Sequence, residues 1–150
     1  MTLHKKVVII KLQKIPYIFL KGLIKMGKFA IKKTNTGYTI SLMAGNGQVI
    51  GIGGEVFSSL ASAKNSIESI KKNAPAANIE DQTVEGYEAV THPKFEIYKD
   101  KAGEFRFRLK ARNGESILAS EGYTAMAGCK NGIESVIKNA PDADVVEPEE

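Results

Sequence analysis

Hydrophobic and polar positions alternate along three short stretches, switch to helical spacing, and then the whole pattern recurs. The first alternating run is Lys28-Phe29-Ala30-Ile31-Lys32, and its counterpart is Lys94-Phe95-Glu96-Ile97-Tyr98, with Phe and Ile on one face at period two. A turn at Gly37 or Gly103 leads into the second run. There Tyr38, Ile40 and Leu42 oppose Thr39, Ser41 and Met43; in the later copy Phe105, Phe107 and Leu109 oppose Arg106, Arg108 and Lys110. Asn46-Gly47 and Asn113-Gly114 follow. Asn-Gly between alternating runs predicts a hairpin with a type I′ turn, which needs positive φ at both central residues. Third strands are expected over residues 48–52 and 115–119, so each copy opens with three antiparallel strands.

Ser58 and Thr124 then occupy N-cap positions, where a hydroxyl accepts a first-turn N–H. Apolar residues recur at helical spacing from there: Leu60, Ala63, Ile67, Ile70 and Ala74, then Met126, Cys129, Ile133, Val136, Ile137 and Ala140. Asn73 and Asn139 stand where a left-handed terminal residue is wanted, and Ala-Pro ends each helix. Short returning strands are expected over 78–82 and 144–147. Each copy therefore reads β-β-β-α-β.

The copies announce themselves most plainly in their helices. Residues 64–75 read KNSIESIKKNAP and residues 130–141 read KNGIESVIKNAP, identical at nine of twelve positions. A unit of roughly 55 residues buries too little to stand alone. Two copies paired about a pseudo-twofold axis, as a symmetric dimer would pair, solve that problem within one chain. The predicted fold class is α+β: two tandem β-β-β-α-β repeats about a pseudo-twofold axis, sharing an antiparallel sheet. Residues 1–25 form a leader, 26–84 the first repeat, 85–91 a linker, and 92–150 the second repeat with its acidic tail. Because the joined copies already satisfy the symmetric pairing, a monomer is expected.

These segments resemble the YegP-like family of small bacterial tandem-repeat proteins. The resemblance is carried by MGKFAIKK, the two Asn-Gly turns, FRFRLKARNGESILASEGY and the two KN-x-IES…NAP helices. It spans nearly everything from Met26 to Glu147 and leaves the leader outside. It implies two β-β-β-α-β units in one shared sheet, with the terminal strands either kept or exchanged between units. Copy one departs from it at GGEVF (residues 53–57), where copy two has SEGY. No activity comes with the resemblance.

Charge changes the picture less than the total suggests. Of 21 Lys and Arg against 17 Asp and Glu, a net of +4, six lysines and no acids lie in residues 1–25. The remainder carries 15 basic and 17 acidic residues, a net of −2, so nucleic acid is disfavoured as a partner. The leader fits a secretory signal poorly, because lysines interrupt its apolar stretch and no cleavage site follows. Pro16 and the VVII run argue against one amphipathic membrane helix. The third and preferred reading is that residues 1–25 are not native protein, the native chain being expected to start at Met26 where MGKFAIKK opens the first repeat, and they are then expected to be dispensable for folding. No apolar run reaches the roughly 18 residues of a membrane span, and a cytoplasmic location is expected.

Candidate chemistry is sparse. Cys129 excludes an internal disulfide and lies on the apolar helix stripe, where Ala63 fills the matching place, so it reads as a buried thiol. His92, before Pro93, reads as exposed linker, and two histidines with one cysteine make no zinc site. Gly51-Ile52-Gly53-Gly54 lacks the Lys-Ser/Thr of a phosphate loop. Glu68 and Glu134, with Ser69 and Ser135, could in principle supply an acid–base pair, but they sit off the apolar stripe. Arg106, Arg108, Lys110 and Arg112 form the one candidate anion-binding stripe. Against it, the aromatics point to the opposite face, and acids such as Glu96 and Glu115 can pair with the bases. No catalytic residue, metal site or cofactor is assigned. The expectation is a non-enzymatic binding or interaction module, with weak nucleic-acid or anionic-ligand binding through the basic stripe as the alternative.

Overall fold

Alternation puts Phe29 and Ile31 on one face of β1 (Lys28–Thr34), and Ile40 and Leu42 on the same face of β2 (Gly37–Met43). The computed structural model describes residues 26–149, so the expectations set on residues 1–25 lie outside the described residues. The first repeat continues with β3 (Val49–Gly53), α1 (Leu60–Asn73), a 3-10 turn (Ala74–Ala76) and β4 (Asn78–Asp81). The second runs β5 (Lys94–Lys99), β6 (Phe105–Lys110), β7 (Ser116–Ala119), α2 (Met126–Asn139) and β8 (Asp144–Val146).

All eight strands form one sheet in the order β4-β5-β6-β7-β3-β2-β1-β8, which reads the same in reverse when the repeats are exchanged. The six central strands are antiparallel. The two edge strands are not. β4 lies parallel to β5 of the other repeat and β8 parallel to β1, so the terminal strands are exchanged and the expected antiparallel sheet is mixed. The helix makes this reachable. Fourteen residues carry the chain about 21 Å, comparable with the four strand spacings, about 19 Å, that separate β3 from β4. On the way α1 packs over β2 of its own repeat and β7 of the other, and α2 mirrors this over β6 and β3.

The core lies between the helices and this one sheet face. Phe29, Leu42, Phe95, Ile97, Phe107, Leu109 and Leu118 from the strands meet Ala63, Ile67, Ile70, Cys129, Ile133 and Val136 from the helices, all essentially without solvent contact. Phe95 and Phe107 pack edge to face at 5.9 Å. At the centre, where β3 and β7 pair through only two residues each, Gly51 leaves room for Leu118 and Gly53 for Ile40.

Three local expectations are corrected. The Asn-Gly hairpins are not type I′, because only Gly47 and Gly114 have positive φ (86° and 85°) while both asparagines stay in ordinary conformations. Gly47 N–H donates to Ala44 C=O and Ala44 N–H to Gln48 C=O, which describes a longer loop with the glycine at its left-handed position and a register shift behind it. Asn46 and Asn113 instead accept the N–H of Gln48 and Glu115. The helix caps shift by one residue: Ser59, not Ser58, accepts from Ser62 N–H at 3.1 Å, and its counterpart Ala125 makes no side-chain cap. Asn73 is right-handed helical (φ −82°), and its amide donates back to Ser69 O at 2.8 Å; Asn139 repeats this on Ser135.

Two outcomes follow from the exchange and from the central junction. A chain ending at Val90 has no partner for β4 and no second helix, so sedimentation should find a dimer with exchanged strands; a folded monomer would contradict the architecture. A Cβ on Gly54 would strike the Ser116 carbonyl oxygen, a backbone atom that cannot swing away. Gly54→Ala should therefore lower the thermal midpoint by several degrees, corresponding to roughly 1–3 kcal/mol.

Candidate functional site

Strand register lines up one row across the outer sheet face, away from the helices: Glu80, Glu96, Arg108, Ala119, Ile52, Ser41, Ala30 and Val146. The repeat 2 half is charged and the repeat 1 half is small or apolar. Ile52, Val49 and Val146 are exposed there, Ile52 at 55 %.

The charged half is closed upon itself. Glu80, Lys94 and Glu96 are only 3, 7 and 7 % exposed. Lys94 Nζ lies 2.8 Å from Glu80 Oε2 and 3.3 Å from Glu96 Oε2, and Arg108 Nε donates to Glu96 Oε1 at 2.6 Å. The linker supplies the cover, with Val90 N–H donating to Glu80 at 2.8 Å, while the Gln82 amide takes the other carboxylate oxygen. Hydrogen bonds from Gln82 and Lys94 overcome burial and hold the Glu80 carboxyl down at about 2. Lys94 is raised by the hydrogen bond to Glu80 against desolvation. For Glu96, burial pushes upward, but the Arg108 hydrogen bond and charge, with Lys94 and Lys110, leave the net below the ordinary range. Two cations and two carboxylates balance, and a buried ionic group this well paired is costly to break rather than available to bind.

The four residues of the candidate stripe are accordingly not brought together as one site. Arg106 Nε donates to Asp100 at 2.6 Å and its Nη1 to Ser120 O at 3.2 Å. Arg108 is tied to Glu96 and stacks 4.3 Å from the Tyr98 ring centre. Lys110 stands beside Lys94 on the next strand. Arg112 leaves the sheet altogether, in the hairpin turn beside α1. Arg108 in particular is part of the fold, because Arg108→Ser would strip the buried Glu96 carboxylate of its partner.

A different grouping emerges on the helix side. Asn65, Glu68, Ser69, Lys72 and Asn73 of α1 line a cleft of about 410 Å³, closed by the repeat 2 turn at Ala111, Arg112 and Asn113. Asn131, Glu134, Ser135, Lys138 and Asn139 of α2 line its counterpart, about 580 Å³, closed by Ala44, Gly45 and Asn46. Apart from Lys64 and Lys130, the polar letters shared by the two helices are thus cleft lining. Glu68 and Glu134 fall in separate clefts, so they form no acid–base pair. Sequence reading missed the clefts because each joins a helix of one repeat to a turn of the other. The repeated polar letters were the available signal.

The remaining candidates have structural places. Cys129 is buried under α2, and desolvation pushes its thiol up to about 11, far from a reactive thiolate. His92 is exposed beside Gly114. Among the described residues, no three His, Cys, Asp or Glu side chains gather as metal ligands, and no helix is long and apolar enough to cross a membrane.

The ion network sets a pH dependence. The folded Glu80 carboxyl sits near 2 against an ordinary 4.5, so its contribution is complete above 4.5 and is lost as pH falls toward 2. Thermal unfolding across this window should show a loss on the order of 3 kcal/mol, largely abolished in Glu80→Gln. Lys94→Met leaves two buried carboxylates face to face and should cost about 3–5 kcal/mol at neutral pH. A midpoint that ignores either substitution would contradict the pairing.

Comparison with known proteins places these features. The model for a domain of unknown function (DUF1508) matches twice, at residues 34–81 and 100–147. The UPF0339 protein YegP of Yersinia pestis is 39 % identical over 115 residues, 76 % of this chain and 88 % of that protein. A UPF0339 protein of Treponema denticola is 70 % identical over 54 residues, 36 % of this chain but 93 % of that protein. Another, from the ptx operon 5′ region of Stutzerimonas stutzeri, is 77 % identical over 48 residues, 32 % of this chain and less than half (43 %) of that relative. The solution structure of the Escherichia coli protein yegP, described as of unknown function, superimposes with a TM-score of 0.68 at 27 % identity, covering 85 % of this chain and 97 % of that one. With two matched copies and a relative of this similarity along most of its length, the chain belongs to the DUF1508/UPF0339 family, as a member built from two tandem repeats.

Proposed function

We propose that the protein is a non-enzymatic binding module with two equivalent clefts, each formed by one repeat's helix and the other repeat's hairpin turn. The observation that carries this reading is internal. The outer sheet face has diverged between repeats from Glu96 and Arg108 to Ala30 and Ser41, yet the same five polar side chains line both clefts. Packing accounts for the shared apolar letters and for the Asn73–Ser69 and Asn139–Ser135 hydrogen bonds. It does not account for exposed Asn65, Glu68 and Lys72 matching Asn131, Glu134 and Lys138. Each cleft offers a carboxylate, an ammonium, amides and a hydroxyl, which suits a small polar ligand or a polar segment of a partner chain. Arg112 adds a second cation to the α1 cleft only.

The alternative of nucleic-acid or anionic-ligand binding along Arg106, Arg108, Lys110 and Arg112 has less support. A phosphate chain on that face would have to displace Asp100 and Glu96, and Arg112 is not on the face.

A ligand of the clefts should titrate calorimetrically with two sites per chain. Glu68→Ala combined with Lys72→Ala should reduce this to one, and the matching pair Glu134→Ala with Lys138→Ala should remove the other. Binding whose stoichiometry is unmoved by either pair would exclude the clefts. For the stripe, any nucleic-acid affinity of the full chain should come from the six lysines of residues 1–25. Lys110→Ser with Arg112→Ser should then leave affinity and salt slope unchanged; a slope reduced by one or two contacts would restore the stripe.

A further inference from the structure

A third cavity, about 650 Å³, lies where Gln82 and Thr83 at the end of repeat 1 and the linker meet the β5–β6 end of repeat 2. Tyr87 of the linker, Tyr98 at the end of β5, Phe105 at the start of β6 and Met126 at the start of α2 supply its apolar walls. The matching positions in repeat 1 are Lys32, Tyr38 and Leu60, without a linker tyrosine, so the internal repeat does not generate it. Tyr87 is 46 % exposed, a large ring left in water beside other rings. Tyr98 is braced by the Arg108 guanidinium. The exposed Tyr87 ring is thus the open stacking surface, while the half-buried Phe105 ring has the Lys99 Nζ over it.

The polar rim is one-sided. Lys99 is the only charged side chain among the described residues lining the cavity, and its Nζ is held 5.2 Å from the Phe105 ring centre. Gln82 spends one amide N–H on Glu80, leaving its carbonyl oxygen and one further N–H; Thr83 spends its hydroxyl proton on Asp81, leaving its lone pairs. The rim thus offers acceptors at one place and a cation at another, around aromatic walls. A planar ring gains from stacking on such walls, an amino group on the ring edge suits the acceptors, and an attached anion suits Lys99.

We propose that this cavity binds a planar aromatic ring that carries an exocyclic amine and an attached anion, the chemistry of an aminopurine nucleoside monophosphate. The ring stacks on Tyr87, its amine donates to Gln82 and Thr83, and the anion pairs with Lys99 where it lies over Phe105. This inference stands apart from the two clefts: it concerns a different place and predicts one site per chain.

The test is titration of the full chain with AMP, followed by backbone amide NMR shifts, with IMP and adenosine as the other arms. AMP should saturate in the millimolar range or tighter, with shifts concentrated at Tyr87, Lys99 and Phe105. IMP, which lacks the amine, and adenosine, which lacks the anion, should each bind about tenfold more weakly. Lys99→Gln should weaken AMP to the level of adenosine without affecting adenosine itself. Tyr87→Ala, a change on the exposed linker, should weaken all three. No shifts at millimolar AMP, or shifts elsewhere, would overturn the proposal. Equal affinity for AMP and IMP would overturn the role of the amine, and an unaffected Lys99→Gln variant that of the cation. Shifts confined to the helix clefts would exclude this cavity while supporting the two-cleft reading.

Discussion

Each repeat's last strand finds its partner in the other repeat, and nearly everything else in the molecule depends on that exchange. β4 closes the sheet beyond β5 and β8 closes it beyond β1. To deliver those strands, each helix must cross the repeat boundary, and in crossing it covers strands of both repeats. Neither half then has a core of its own: Ile67 and Ile133 sit in one continuous apolar layer. The exchange also determines where clefts can form, because a helix that overhangs the other repeat comes to rest beside that repeat's hairpin turn.

Exchange is the arrangement two separate chains could make just as well. The Treponema denticola relative is matched over 93 % of its length by 54 residues, about the length of one repeat. Joining the copies removes the requirement that they stay identical. The outer sheet face shows the result, with a buried Glu80-Lys94-Glu96-Arg108 network under the linker in one half and exposed Val49 and Ile52 in the other. Against that divergence, the same five polar residue types line both clefts. The aromatic cavity around Tyr87 represents the opposite case, built on a linker tyrosine and on Tyr98, whose match in the other repeat is Lys32.

Basic residues in a row on a strand are weak evidence for an anion site unless the opposing row is known. Arg106 and Arg108 look available along the chain, but Asp100 lies six residues back and Glu96 on the neighbouring strand, and both guanidinium groups are taken. The Arg108 pair is firm because the Glu96 carboxylate is buried, and the more exposed Arg106 pair because Asp100 also accepts the N–H groups of Ala102 and Glu104. The same reasoning removes Cys129, whose surroundings suppress the thiolate a nucleophile requires.

Local pattern alone determined the element order, the tandem division, the apolar face of the first two strands of each copy and the stripe of each helix, because period two and period 3.6 are properties of neighbouring residues. It erred where a local signal has several outcomes: Asn46-Gly47 suits more than one hairpin loop, Ser58 and Ser59 are both capping residues, and Asn73 could end a helix or fold back on Ser69. Only the tertiary structure decided the edge strands, the burial of Glu80 and Lys94 beneath the linker, and the clefts. Those depend on pairings between residues far apart in the chain, such as Asn78 with Lys94 or Lys28 with Asp144. Their register is set by where two helices can lie on one shared sheet, a condition that no stretch of sequence contains by itself.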